Sequence, residues 1–136
     1  MDSRSRKLLD IRPEIPKARI HNNMSMEEYF QNKTLRPIIK MQNDLLVEVF
    51  KNYVRKHKGV FYELSTEKKL TYVEKSIQKD IKFRNSLKGI IIGQFTVEEY
   101  TTYITNSSAL NKRMMNTVIE RIKDQIQVLQ ETILIQ

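Results

Sequence analysis

MMNTVIERIKDQIQVLQETILIQ, residues 114–136, carries a heptad seam. Met115, Ile119, Ile122, Ile126, Leu129 and Ile133 are spaced four, three, four, three, four, a pattern that only a helix gathers onto one face. Val118, Val128, Leu134 and Ile135 lie off the seam, so this helix is apolar over a wide arc. One use of the seam is packing inside a bundle. The other is contact with a second copy of the chain or with another helical protein, and the apolar run towards Ile135 favours some outside contact.

Upstream, the helical signal repeats. Ser25 followed by Glu28 has the spacing of a capping box and opens a short helix to about Lys33. Thr34 caps a second helix, with Pro37 tolerated in its first turn, or else the two form one helix kinked at Pro37. Leu35, Ile38, Ile39, Leu45, Leu46, Val49, Phe50 and Tyr53 recur at helical spacing until Gly59. Ser65 and Thr66 cap the next helix, whose buried stripe is Leu70, Val73, Ile77, Ile81, Leu87 and Ile91, running to about Gln94. Thr96 and Glu99 form a further capping box for a short helix to about Thr105, and the last helix starts near Ser108. Val60-Phe61-Tyr62 alone looks strand-like. The expectation is an all-α bundle of three long and two short helices over residues 25–136.

Residues 1–24 contain Pro13 and Pro16 and no sustained period, so they are expected to form a basic, extended or disordered, flexible arm. With 136 residues and no cysteine, the chain fits one domain without disulfides, thiolate zinc sites or cysteine nucleophiles. No stretch approaches the roughly 20 apolar residues of a membrane span. No apolar segment marks a secretory leader, and a cytoplasmic location is expected.

The net charge is +8. Residues 34–58 hold six bases against two acids and residues 67–88 seven against three, so the excess is spread rather than gathered in one block. A solvated basic surface accounts for this, and an acidic partner is the alternative. Arg55, Lys56, His57 and Lys58 stand beside Tyr53 and ahead of Phe61 and Tyr62. Bases interleaved with aromatics suit phosphate backbones and base stacking, although they equally complement a helix C-terminus. Asp80, Arg84 and Lys88, at i, i+4 and i+8, share a helix face on which Asp80 could orient Arg84 towards an anion, or merely pair with it at the surface. Gly89 and Gly93 have the spacing that lets another helix approach closely. His21 and His57 are far apart, and no triplet of His, Asp or Glu has metal-site spacing, so neither metal nor other cofactor is expected. There is no phosphate loop, dinucleotide fingerprint or nucleophile elbow.

LRPIIKMQNDLLVEVFKNYV (35–54), EKSIQKDIKFRNSLKGIIIGQFTVEEY (74–100) and NSSALNKRMMNTVIERIKDQI (106–126) resemble a small family of uncharacterised bacterial helical proteins, some members of which carry an automatic glyoxalase label. The resemblance implies a helical fold, and the label implies a lyase of glyoxalase type. Such lyases use His and Glu ligands on β-rich modules or a hydrolase motif dense in His and Asp, and neither is present in this chain. The leading expectation is therefore a non-catalytic interaction module that self-associates through Met115–Ile133. The alternative is a basic protein that binds nucleic-acid backbone, and the third reading is the lyase.

Overall fold

The computed structural model describes residues 1–15, 23–127 and 129. Among these it has no strand and eight α-helical segments: α1 (Ser3–Ile11), α2 (Met26–Phe30), α3 (Arg36–Met41), α4 (Asn43–Lys56), α5 (Thr66–Lys79), α6 (Ile81–Ile92), α7 (Val97–Tyr103) and α8 (Ser107–Asp124). The all-α expectation holds. The division into helices is finer than expected, and each extra break has a local cause.

α2 and α3 are one continuous helix joined by a π turn over Gln31–Leu35. Pro37 explains the wide turn. It has no N–H to give, and its ring would press on the carbonyl four residues back, a clash that one looser turn removes. The helix then breaks at Gln42 rather than at Pro37, with the Gln42 N–H still donating to Ile38 O at 2.9 Å. The expected long helix over residues 65–94 is two helices, because Asp80 is extended (φ −84°, ψ 98°) and caps α6 by accepting from the Phe83 N–H. The break resets the helical phase. Buried positions after it are Phe83, Leu87 and Ile91, while Ile81, expected in the stripe, is 69% exposed. Val60-Phe61-Tyr62, which looked strand-like, belongs to a 3-10 turn, Val60–Glu63.

The N-terminal residues correct another expectation. Residues 3–11 are helical, not an extended or disordered arm. Asp2 caps α1 by accepting from the Ser5 N–H, and the helix ends before Pro13, where a regular helix cannot continue. Two arginines fasten it. Arg4 donates to Phe95 O (2.8 Å) and Gly93 O (2.6 Å), and Arg12 donates to Gln94 O (3.0 Å) and to both carboxylate oxygens of Glu99. Gly93, Gln94 and Phe95 form the cap and turn that follow α6, so the guanidinium donors satisfy carbonyls just past the helix and sit near its negative end.

α8 lies at the centre, packing on α2, α3, α4, α5 and α6. Leu110, Met114, Met115, Val118, Ile119, Ile122, Ile126 and Leu129 are all buried, which accounts for an apolar arc wider than one seam: neighbours approach from several sides. Met115, Ile119, Ile122, Ile126 and Leu129 of the seam are thus covered within the chain. Ile133, Val128, Leu134 and Ile135 lie outside the described residues.

The glycine pair does not receive a helix. Gly89 is exposed, and a Cβ built there meets nothing within 4 Å. Gly93 is the C-cap of α6, where its carbonyl takes Arg4. Gly89→Ala should therefore stabilise the fold by about 1 kcal/mol through helix propensity alone. A urea titration that shows no gain would mean that the missing side chain matters for contacts.

Candidate nucleic-acid interface

The end of α4 is built by a short-range hydrogen-bond pattern. The Gly59 N–H donates to Val54 O and the Lys58 N–H to Arg55 O, both at 3.0 Å, a closure that needs a left-handed residue after the cap. Lys58 takes that conformation with φ +64°, and Gly59 follows at +67°. A lysine there bears a strain that glycine would not. The turn leaves Arg55, Lys56, His57 and Lys58 exposed.

Against this end lies the joint between α5 and α6. Three rings stack in sequence across it. Phe83 lies 4.0 Å from Tyr53, centroid to centroid and 18° from parallel, and Tyr53 lies 4.1 Å from His57 at 29°. The Tyr53 hydroxyl donates to Asp80 Oδ2 at 2.9 Å, while Asp80 Oδ1 accepts the Phe83 N–H at 3.3 Å. Those two bonds and the nearby His57 hold the Asp80 carboxyl below its ordinary pKa. Burial, helped by the Asp80 hydrogen bond and charge, pushes the Tyr53 phenol well above its own. Tyr53 is therefore a neutral donor and Asp80 a committed acceptor at neutral pH. His57 Nδ1 lies 2.8 Å from Tyr53 O, and since a carbonyl only accepts, that nitrogen carries the hydrogen.

The stack forms a rib between two shallow hollows. One, about 360 Å³, is lined by Val49, Asn52, Lys56, Lys82, Phe83 and Ser86 together with the rib. The other, about 500 Å³, adds Tyr72, Lys75, Ser76 and Lys79 on the opposite side. Among the described residues, Asp80 is the sole carboxylate lining either one. Ion pairs among the described residues engage Arg12, Lys51 and Lys123, and none involves Arg55, Lys56, Lys58, Lys75, Lys79 or Lys82. Four exposed cations, Lys56, Lys75, Lys79 and Lys82, thus line the hollows around one tethered anion and an aromatic edge, and Arg55 and Lys58 are exposed on the same helix end.

Of the residues singled out in the sequence, Lys56, His57 and Asp80 meet here, with Arg55 and Lys58 on the same helix end. Arg84 and Lys88 do not join them. Arg84 lines a separate cleft with Gln78, Ser108, Lys112, Met115 and Asn116. The expected Asp80–Arg84–Lys88 face depended on one unbroken helix, and as an N-cap Asp80 turns its carboxylate to Phe83 and Tyr53 instead. Lys75 and Tyr72 were not foreseen in the site. Tyr53 and His57, four residues apart on one helix face, were the available signal for the stack.

A further cavity of about 290 Å³ lies beside α1, lined by Met1, Leu9, Met26, Phe30, Lys33, Glu98 and others. Its polar groups are largely engaged within the fold: Thr34 donates to Glu99, Thr102 to Glu98 O, and Lys33 to the Tyr29 hydroxyl. Among the described residues no group of three or more His, Asp or Glu could hold a metal ion, and no helix is long and apolar enough to cross a membrane. No family model matches the chain, and no curated protein or solved structure matches it either.

Proposed function

We propose that this chain is a non-catalytic module that binds nucleic acid through the face made by the end of α4 and the α5–α6 joint. The observation that supports it is the set of cations outside any ion pair, Lys56 and Lys82 on one side and Lys75 and Lys79 on the other, that flank the exposed edge of an aromatic stack, with Arg55 and Lys58 on the same helix end. Phosphates would sit on the lysines, and the released counterions would drive association. A cytoplasmic location would suit this role. Self-association through the last helix draws no support from the seam, because Met115, Ile119, Ile122, Ile126 and Leu129 already fill the core. The lyase reading lacks any ligand cluster among the described residues.

Fluorescence anisotropy with a labelled oligonucleotide, titrated at several salt concentrations, tests the proposal. With about four phosphates engaged, log K should fall against log salt with a slope of about −3 for a single strand. Lys56→Glu with Lys82→Glu should weaken binding at least tenfold and flatten that slope, whereas Lys112→Glu, in the Arg84 cleft, should do much less. Absence of binding at low salt, or equal losses from both sets of variants, overturns it.

A further inference from the structure

We infer that the outer face of His57 is a stacking platform for an unpaired base, which makes single-stranded nucleic acid the substrate class of this surface. The inference rests on the nucleic-acid reading above and adds to it a preference that cations alone do not create.

The three-ring stack runs from inside to outside. Phe83 is 7% exposed, Tyr53 half-buried, and His57 exposed. Near-parallel rings 4.0 and 4.1 Å apart form a column, and its outer member presents a flat π surface to solvent. That surface is held in place before any ligand arrives. The His57 Nδ1–H donates to Tyr53 O, and the Tyr53 hydroxyl is fixed on Asp80, so neither ring has to be ordered on binding. A base placed on His57 would extend the column by one ring. Lys56 and Lys82 stand on one side of it and Lys75 and Lys79 on the other, where the flanking phosphates of a strand crossing the rib would pass. Asn52 and Ser86 line the first hollow and offer amide and hydroxyl groups to a base edge. A duplex keeps its bases stacked on each other and has none to place there. Single-strand binders commonly combine a cationic track with aromatic plates in this way, and their sequence tolerance follows because every base has a π face.

The test compares three probes of equal length at fixed low salt: a labelled single-stranded oligonucleotide of about ten nucleotides, the same sequence as a duplex, and an abasic strand with the sugar–phosphate chain alone. The single strand should bind about tenfold or more tighter than either of the others. His57→Ala should remove about tenfold of that affinity, leave duplex and abasic binding unchanged, and leave the salt slope of the single strand as it was. His57→Phe, which keeps the flat ring but not the Nδ1–H bond to Tyr53 O, should restore most of it. Because His57 is exposed, both variants should melt with the wild type, which circular dichroism checks. If all three probes bind alike and His57→Ala changes nothing, the platform is wrong while backbone binding stands. If no probe binds, the parent reading fails and takes the platform with it.

Discussion

Glu99→Ala should destabilise the fold by about 3–5 kcal/mol, as expected when one partner of a buried ion pair is removed. The Arg12 side chain is only 7% exposed and Glu99 15%. Without the carboxylate, the guanidinium would keep its charge in the interior with one hydrogen bond, to Gln94 O, and its Nε already has no partner. The same carboxylate also accepts from Thr34 Oγ1 (3.0 Å) and from the Thr96 N–H (2.8 Å), closing the capping box of α7. One substitution therefore loosens α1, the π turn and α7 together. Thermal melts should show the loss, and Glu99→Gln with Arg12→Met should recover much of it, since no charge is then buried alone. A fall of less than 1 kcal/mol for Glu99→Ala would mean that α1 is not docked as described.

The same pair sets an acid limit. Burial pushes the Glu99 carboxyl up, but the Arg12 hydrogen bond, the Thr96 N–H, the Arg12 charge and the Thr34 hydroxyl outweigh it and hold the pKa below 4.5. A carboxyl with a lowered folded pKa contributes stability that is fully present above its unfolded value and lost as pH falls through the folded one. Wild-type stability should therefore begin to fall below about pH 4.5. In Glu99→Gln that part of the decline should be missing, and urea midpoints across the acid range measure the difference.

Phe50→Ala should cost about 3–5 kcal/mol, the usual loss for emptying a large aromatic site in a core. Phe50 is fully buried, with Phe61 edge-on at 5.3 Å, Tyr72 at 6.3 Å and Phe83 at 6.4 Å. These partners belong to the 3-10 turn, α5 and α6, so this one ring holds α4 against three later segments. Tyr53 sits one turn further along α4. The cavity would thus loosen the support of the ring stack as well, and oligonucleotide affinity should drop with stability. Phe50→Leu should cost much less on both counts, and urea unfolding reads the first. A loss below 1 kcal/mol for the alanine would show that the surrounding rings can collapse into the space.

The helical periods and caps were legible because they depend on neighbours within a few residues. Ser25, Ser65 and Thr96 cap where their side chains suggested. The break at Asp80 was hidden by Ile77 and Ile81, both apolar and in phase with one long helix. Asp is a good N-cap and accepts the Phe83 N–H, but the bond that the Tyr53 hydroxyl, 27 residues away, gives the same carboxylate was not readable from the local pattern. Likewise Leu45 fits the apolar pattern yet is 48% exposed, because the turn at Gln42 rotates Leu46 and Val47 inward. α1 has little apolar surface to announce it, and its anchorage is two arginines on carbonyls over 80 residues distant. The candidate site was half legible. Each basic cluster showed its chemistry, but which of them meet depends on how α4 packs on α5 and α6.

The central place of α8 bears on how the chain comes off the ribosome. The helix on which α2 to α6 pack follows all of them in the sequence, starting at Ser107. At about 5–20 residues per second, α2 would wait roughly 5–20 s for Ile122 and α6 about 2–6 s, with apolar faces open. The nascent chain should therefore stay sensitive to protease and bound by chaperones until Ile122 has emerged, then close in one late step.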